Sequence, residues 1–217
     1  MKYKKKRLKS IKRYSLVAQR CQKIIDLWNG LKVDNCYRGK WDSDELIRYV
    51  IVLKIASMDT FFTDKFMEMF IPFIKKNGIT DGLELVIKKT SITLKESLNF
   101  LTQKEPLETL FYKMRNEIRR YVAQDQKRID FLFKGFGIDS ISFAAEEYDN
   151  TGAGKKDDLL RRVRVLVRRR HSIVHDGDMM IQAGLAKKIG WGTISKIETI
   201  DRYVTACEYL LNKQIER

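Results

Sequence analysis

Apolar residues recur along most of this chain at the three-to-four-residue spacing of a helix face, and not at the alternating spacing of a strand. Val17, Cys21, Ile24, Ile25 and Trp28 share one side of a first helix, which Asn29-Gly30 is expected to stop. A loop carrying Cys36, Tyr37 and Trp41 follows, and Asp42 or Ser43 caps a long second helix. Its stripe runs through Leu46, Ile47, Val50 and Leu53 to Phe62, Phe66 and Phe70, and ends at Asn77-Gly78. Shorter helices are predicted over 81–89 and 94–103, and Pro106 opens another over 107–123 with Leu107, Leu110, Phe111, Met114, Ile118 and Tyr121 inward. A compact element spans 126–136, and Gly135 and Gly137 punctuate its end. The polar, glycine-containing stretch 146–154 reads as a mobile loop. A basic helix starts at Asp157 or Asp158, and a last one runs over about 195–214 through Ile197, Ile200, Tyr203, Val204, Cys207 and Leu211. The fold class predicted is all-α, a helical bundle with extra short helices.

With 217 residues and 44% hydrophobic content, the chain can bury one sizeable core. The expected organisation is a basic N-terminal arm over 1–14 and a single helical domain over 15–217. The formal charge of +15 is concentrated: 1–14 hold eight Lys and Arg without an acid, and 155–170 hold eight against Asp157 and Asp158. Two cationic segments on a nearly neutral body read as a footprint for a polyanion, with nucleic acid ahead of a membrane surface. Cys21, Cys36 and Cys207 are odd in number and widely spread, which favours neither a disulfide framework nor a zinc knuckle and fits a reducing cytoplasm. Lys12, Arg13, Gln19, Arg20 and Lys23 interrupt any export signal. The most apolar stretch, 49–62, is broken by Lys54, Ser57 and Asp59, so no membrane association is expected.

The two histidines, the chain's only ones, stand four residues apart in Arg170-His171-Ser172-Ile173-Val174-His175-Asp176-Gly177. An imidazole takes up and releases protons near neutral pH, and a guanidinium grips phosphate through a planar fork of donors. Together they suggest chemistry on RNA. In the helix carrying them, over about 157–175, Leu159, Leu160, Val163, Leu166, Val167, Arg170, Ile173 and Val174 share one face, which sets Arg170 inside an apolar stripe. A guanidinium there needs a carboxylate or a cleft where anions arrive. Arg161, Arg164 and Arg168 line a neighbouring face and, with Arg169, are read as RNA-contacting. His175 lies five positions past Arg170, turned away on an unbroken helix and swung back if the helix frays before Gly177. His171 is open to three roles: orienting His175, bonding a phosphate, or capping local backbone. Asp59 is a possible acidic partner for Arg170. A metal held by both histidines with Asp176 or Asp178 lacks a third-ligand spacing, and no cofactor or metal is assigned.

This pattern, Arg170, a polar position, three residues and His175 after an apolar-basic helix, resembles the HEPN superfamily of ribonucleases. Ile173-Val174-His175-Asp176-Gly177 is similar to the Ile-Val-His-x-Gly ending of stand-alone members associated with abortive infection, and 126–138 to the segment before their motif helix. The resemblance spans about 49–211. It implies a helical bundle that dimerises and cleaves single-stranded RNA without metal, using Arg170 and His175 of both protomers, with His171 as the polar position. A ribose 2′-hydroxyl attacks the adjacent phosphate, giving a cyclic phosphate and a free 5′-hydroxyl. The departure here is His171, which can replace one member of the pair within a protomer, so the division of acid and base roles stays open. The resemblance also implies a toxin or phage-defence effector, restrained by an antitoxin or other regulatory protein. The alternatives are a non-catalytic RNA-binding or regulatory module of the same fold, and a DNA-binding helical protein, which leaves the histidines unexplained.

Overall fold

The computed structural model describes residues 9–33, 44–89, 106–120, 123–153, 158–176, 179–180, 185–186, 189 and 191–216, with isolated positions in 92–102. Eight helices are described: α1 (Ser10–Val33), α2 (Asp44–Asn77), α3 (Asp81–Lys89), α4 (Pro106–Arg120), α5 (Gln126–Lys134), α6 (Ile141–Ala153), α7 (Leu159–Asp176) and α8 (Trp191–Glu216). The bundle is all-α, the one ladder among the described residues being an antiparallel pair of two-residue strands, β1 (Met179–Met180) on β2 (Leu185–Ala186). No helix among the described residues is long and apolar enough to cross a membrane.

α2 is the axis of the bundle, with α1, α4, α5, α7 and α8 all packed against it. A helix in that position has to be apolar nearly all round, and α2 buries Ile47, Val50, Ile51, Ile55, Met58, Phe61, Phe62, Phe66 and Phe70. Its aromatic half interlocks with α5 and the turn after it: Phe62 meets Phe133 at 5.9 Å and Phe66 meets Phe136 at 5.0 Å between ring centroids. Gly78 ends α2 as the sequence indicates, with φ +72° in the left-handed region that a side chain disfavours. α3 follows over the residues expected.

The lysines buried in α2 are paired across the bundle. Lys54 Nζ donates to both Asp201 oxygens of α8, at 2.5 and 2.6 Å, and the Tyr14 hydroxyl of α1 donates to the same carboxylate at 2.6 Å. Lys65 meets Glu208 at 2.9 Å and donates to Asn212 Oδ1 at 2.5 Å. A buried ammonium without such a partner is costly, and these pairs fix the register of α1 and α8 on α2.

Several expected element bounds are corrected. α1 runs through Asn29-Gly30 to Val33, because Trp28 is buried and its indole N–H donates to Asp44 at 3.3 Å, which holds the turn against α2. α1 also starts at Ser10, inside the segment read as an arm, with Tyr14 buried and Arg13 ion-paired to Asp64. Residues 146–153, expected as a loop, form the second half of α6. Long-range partners hold that helix: Arg202 Nε donates to Asp149 at 3.1 Å, and the Tyr148 and Tyr209 rings stack at 4.7 Å. The helix predicted over 94–103 lies mostly outside the described residues. α4 is described from Pro106 to Arg120 and Ala123 lies outside it, and α8 extends the predicted helix at both ends.

Candidate functional site

α7 carries the motif and begins where two carboxylates meet its free N–H groups. Asp158 Oδ1 accepts from Arg161 N at 3.2 Å, and Glu146 Oε1 of α6 accepts from Leu160 N at 3.1 Å. Negative charge at this end also complements the helix dipole. Leu159, Val163 and Leu166 are buried, and Leu160, Val167 and Ile173 are half-buried against the core. The stripe narrows toward the C-terminus: Val174, expected inward, is 48% exposed.

Arg170 is half-buried on that stripe, and its Nε is buried without a hydrogen-bond acceptor. Asp59 of α2 feels this charge, its ionisation being favoured by the Arg170 and Arg128 guanidiniums. Asp59 nonetheless directs its oxygens elsewhere. Oδ1 accepts from Ala123 N at 2.6 Å and Oδ2 from Gln124 Nε2 at 3.3 Å. Burial outweighs all these contacts and raises the pKa of the Asp59 carboxyl from its ordinary value. Asp59 therefore faces Arg170 as a field rather than as a bonded partner.

α7 stays helical to Asp176, past both histidines, so no fraying returns His175 toward Arg170 within the chain. Five residues of helix separate their directions by about 140°. His175 pairs instead with His171, with ring centroids 4.3 Å apart and planes tilted by 46°. Both imidazoles are exposed. The structure thus leaves Arg170 half-buried within electrostatic reach of Asp59, and the two imidazoles together and exposed.

The other arginines of α7 divide by environment. Arg161, Arg164 and Arg168 are exposed on one face, and Arg169 is half-buried. Arg161 is ion-paired to Asp158, while Arg164 donates to the Gln126 carboxamide oxygen at 3.0 Å. That bond bridges the rim of a groove of about 490 Å³ between α7 and the start of α5. Leu160, Val163 and Val167 form one wall and Ile129 the other, with Tyr203 of α8 behind them. Gln124, Asp125, Gln126, Lys127, Arg164 and Arg168 provide the polar edge. Sequence reading did not single out Gln124, Gln126, Lys127 or Glu146. Gln126 and Arg164 are 38 positions apart, and nothing in local spacing joins them.

No family model, curated protein or solved structure matches this chain.

Proposed function

We propose that this chain is a metal-independent endoribonuclease of the HEPN kind, acting on single-stranded RNA. The observation that carries this reading is the pairing on one helix of a half-buried guanidinium whose Nε has no acceptor with two exposed imidazoles in ring contact. A half-buried guanidinium whose Nε lacks an acceptor keeps its charge uncompensated there, and its remaining donors suit a phosphate oxygen. Arg170 is then the cation that stabilises charge on the phosphorane. The neutral imidazole of one histidine takes the proton of the ribose 2′-hydroxyl, whose oxygen attacks phosphorus. The bond from phosphorus to the 5′-oxygen breaks, and a protonated imidazole delivers its proton to that oxygen. The products are a cyclic phosphate and a 5′-hydroxyl end.

The divergence of Arg170 and His175 on an unbroken α7 supports a homodimer, in which the guanidinium of one protomer meets the imidazoles of its partner about a twofold axis. Arg161, Arg164, Arg168 and Arg169 hold the strand through its phosphates. An effector role in defence or toxicity, with a restraining partner protein in the cytoplasm, follows from the family resemblance and belongs to the same proposal.

The test is cleavage of a labelled single-stranded RNA in EDTA by the wild-type chain, His175→Ala and Arg170→Ala. The expected result is cyclic-phosphate ends from the wild type and a loss of about a hundredfold or more in each variant, the scale of removing a general acid-base or charge-stabilising group. Binding of the RNA without cleavage by the wild-type dimer overturns the nuclease reading in favour of an RNA-binding module.

A further inference from the structure

The groove between α5 and α7 takes no part in the bond making and breaking just described, and although Arg164 and Arg168 of its edge belong to the phosphate-holding set, it is built unlike a plain phosphate track. Its walls are the aliphatic side chains Leu160, Val163, Val167 and Ile129, while cations and carboxamides stand only at the edge. A volume of about 490 Å³ falls within the range of small-ligand clefts, and the distribution of polarity is that of a site enclosing an apolar face while gripping a charged group. Arg164, Arg168 and Lys127 supply positive charge, and the one acid on the rim, Asp125, is already engaged by Arg128. The carboxamide oxygen of Gln126 is taken by Arg164, which leaves the amide N–H groups as what Gln126 offers a ligand.

We infer that this groove is a nucleotide subsite: one base of the strand lies against the aliphatic wall, its edge meets the Gln126 amide, and its phosphate is held by Arg164 and Arg168. The inference rests on the RNA reading above and adds a base preference to it. A flat, apolar nucleobase face and a phosphate anion are the two chemistries that such a wall and rim complement together. Position supports the link to the reacting centre. Arg168 precedes His171 by less than a turn of helix, and Gln124, on the same rim, donates to the Asp59 carboxylate that faces Arg170. A strand seated in the groove therefore leads toward the part of α7 that carries Arg170 and the histidines.

The experiment titrates the full chain with each of the four nucleoside 5′-monophosphates and, separately, with inorganic phosphate, following binding by calorimetry and by backbone amide shifts. One or two of the nucleotides are expected to bind at least tenfold more tightly than phosphate, with shifts centred on 126–129 and 160–168. Gln126→Ala is expected to erode the discrimination among bases, and the Arg164→Ala/Arg168→Ala double variant to weaken all the nucleotides about tenfold or more. Phosphate binding as tightly as every nucleotide reduces the groove to an anion contact and overturns the inference, as does nucleotide binding untouched by these substitutions. The outcome is separable from the nuclease reading. Mononucleotide binding by a chain that cuts no RNA sinks the nuclease and leaves the subsite, whereas RNA cleavage without mononucleotide binding does the reverse.

Discussion

The carboxylate of Asp59, at the middle of α2, accepts the backbone N–H of Ala123 at 2.6 Å, across 64 positions of sequence. Ala123 is fully buried, so this carboxylate satisfies a donor that water cannot reach. The bond ties the lead-in to α5, and with it Gln124 and Gln126, to the helix that faces Arg170. Replacing Asp59 by Ala orphans the N–H and removes the negative field on Arg170. The expected loss is about 1–3 kcal/mol, or some 2–4 °C in melting temperature for each kcal/mol in a chain of this size. Asp59→Asn, which keeps an acceptor oxygen, should lose distinctly less. Equal loss in both variants would show that the charge, and not the hydrogen bond, is what the site needs.

The same carboxylate has a pH signature. Burial raises its pKa, so the folded chain takes up the Asp59 proton at higher pH than the unfolded chain does. The linked stability is fully present below the unfolded value of about 3.9 and is lost as pH rises through the raised folded value. Other carboxylates work in the opposite direction, and the comparison with Asp59→Asn removes them. The stability of the wild type relative to Asp59→Asn should improve as pH falls from neutrality toward about 4. Urea unfolding of both proteins across that range measures it, and a flat difference refutes the raised pKa.

At the other side of α2, Lys54 is only 3% exposed while its partner Asp201 is 41% exposed. The asymmetry predicts unequal effects from the two halves of the pair. Asp201→Ala strands a buried ammonium and the Tyr14 hydroxyl, an expected loss of about 2–4 kcal/mol once the exposure of Asp201 is allowed for. Lys54→Met removes the buried charge itself and fills similar space, so stability should stay within about 1 kcal/mol of wild type or rise. Thermal unfolding decides, and a larger loss in Lys54→Met than in Asp201→Ala contradicts the account.

Local signals in the sequence translated well into structure and distant ones did not. The stop at Gly78 and the span of α3 depend on conformational preferences that a few residues carry alone. The second half of α6 does not: 146–153 is polar and poorly patterned, and it is helical because Asp149, Tyr148 and Glu146 find partners on α8 and α7. Asn29-Gly30 fails as a stop for the same reason, since the Trp28–Asp44 contact and burial override a weak local preference. In the candidate site, the placement of Arg170 on an apolar stripe and the nearness of His171 to His175 follow from helix period. The groove is assembled from elements brought together only by packing, which periodicity cannot report.

The exposed arginine face of α7 should set RNA affinity through counterion release. Replacing Arg161, Arg164 and Arg168 together by Ala removes up to three phosphate contacts. The slope of log K against log salt for a single-stranded RNA should become shallower by about 2. Arg161 is already ion-paired to Asp158, so its share is expected to be the smallest of the three when they are replaced singly. Fluorescence anisotropy at several salt concentrations gives the slopes. An unchanged slope in the triple variant places the RNA on another surface.

Whether the reacting groups come from one chain or two can be read from mixing. On a continuous α7 the directions of Arg170 and His175 differ by about 140°, so a site built in one protomer requires the helix end to unwind, whereas a twofold partner supplies the missing group without strain. Arg170→Ala and His175→Ala are each expected to be inactive alone. Co-refolded in equal amounts, half of the dimers formed are mixed, and each mixed dimer holds one site with an intact arginine from one chain and intact histidines from the other. Activity should return to about a quarter of wild type, because half of the dimers regain one of their two sites. Recovery near zero, with mixed dimers verified by mass spectrometry, rules out a site made of one chain's arginine and the other chain's histidines alone.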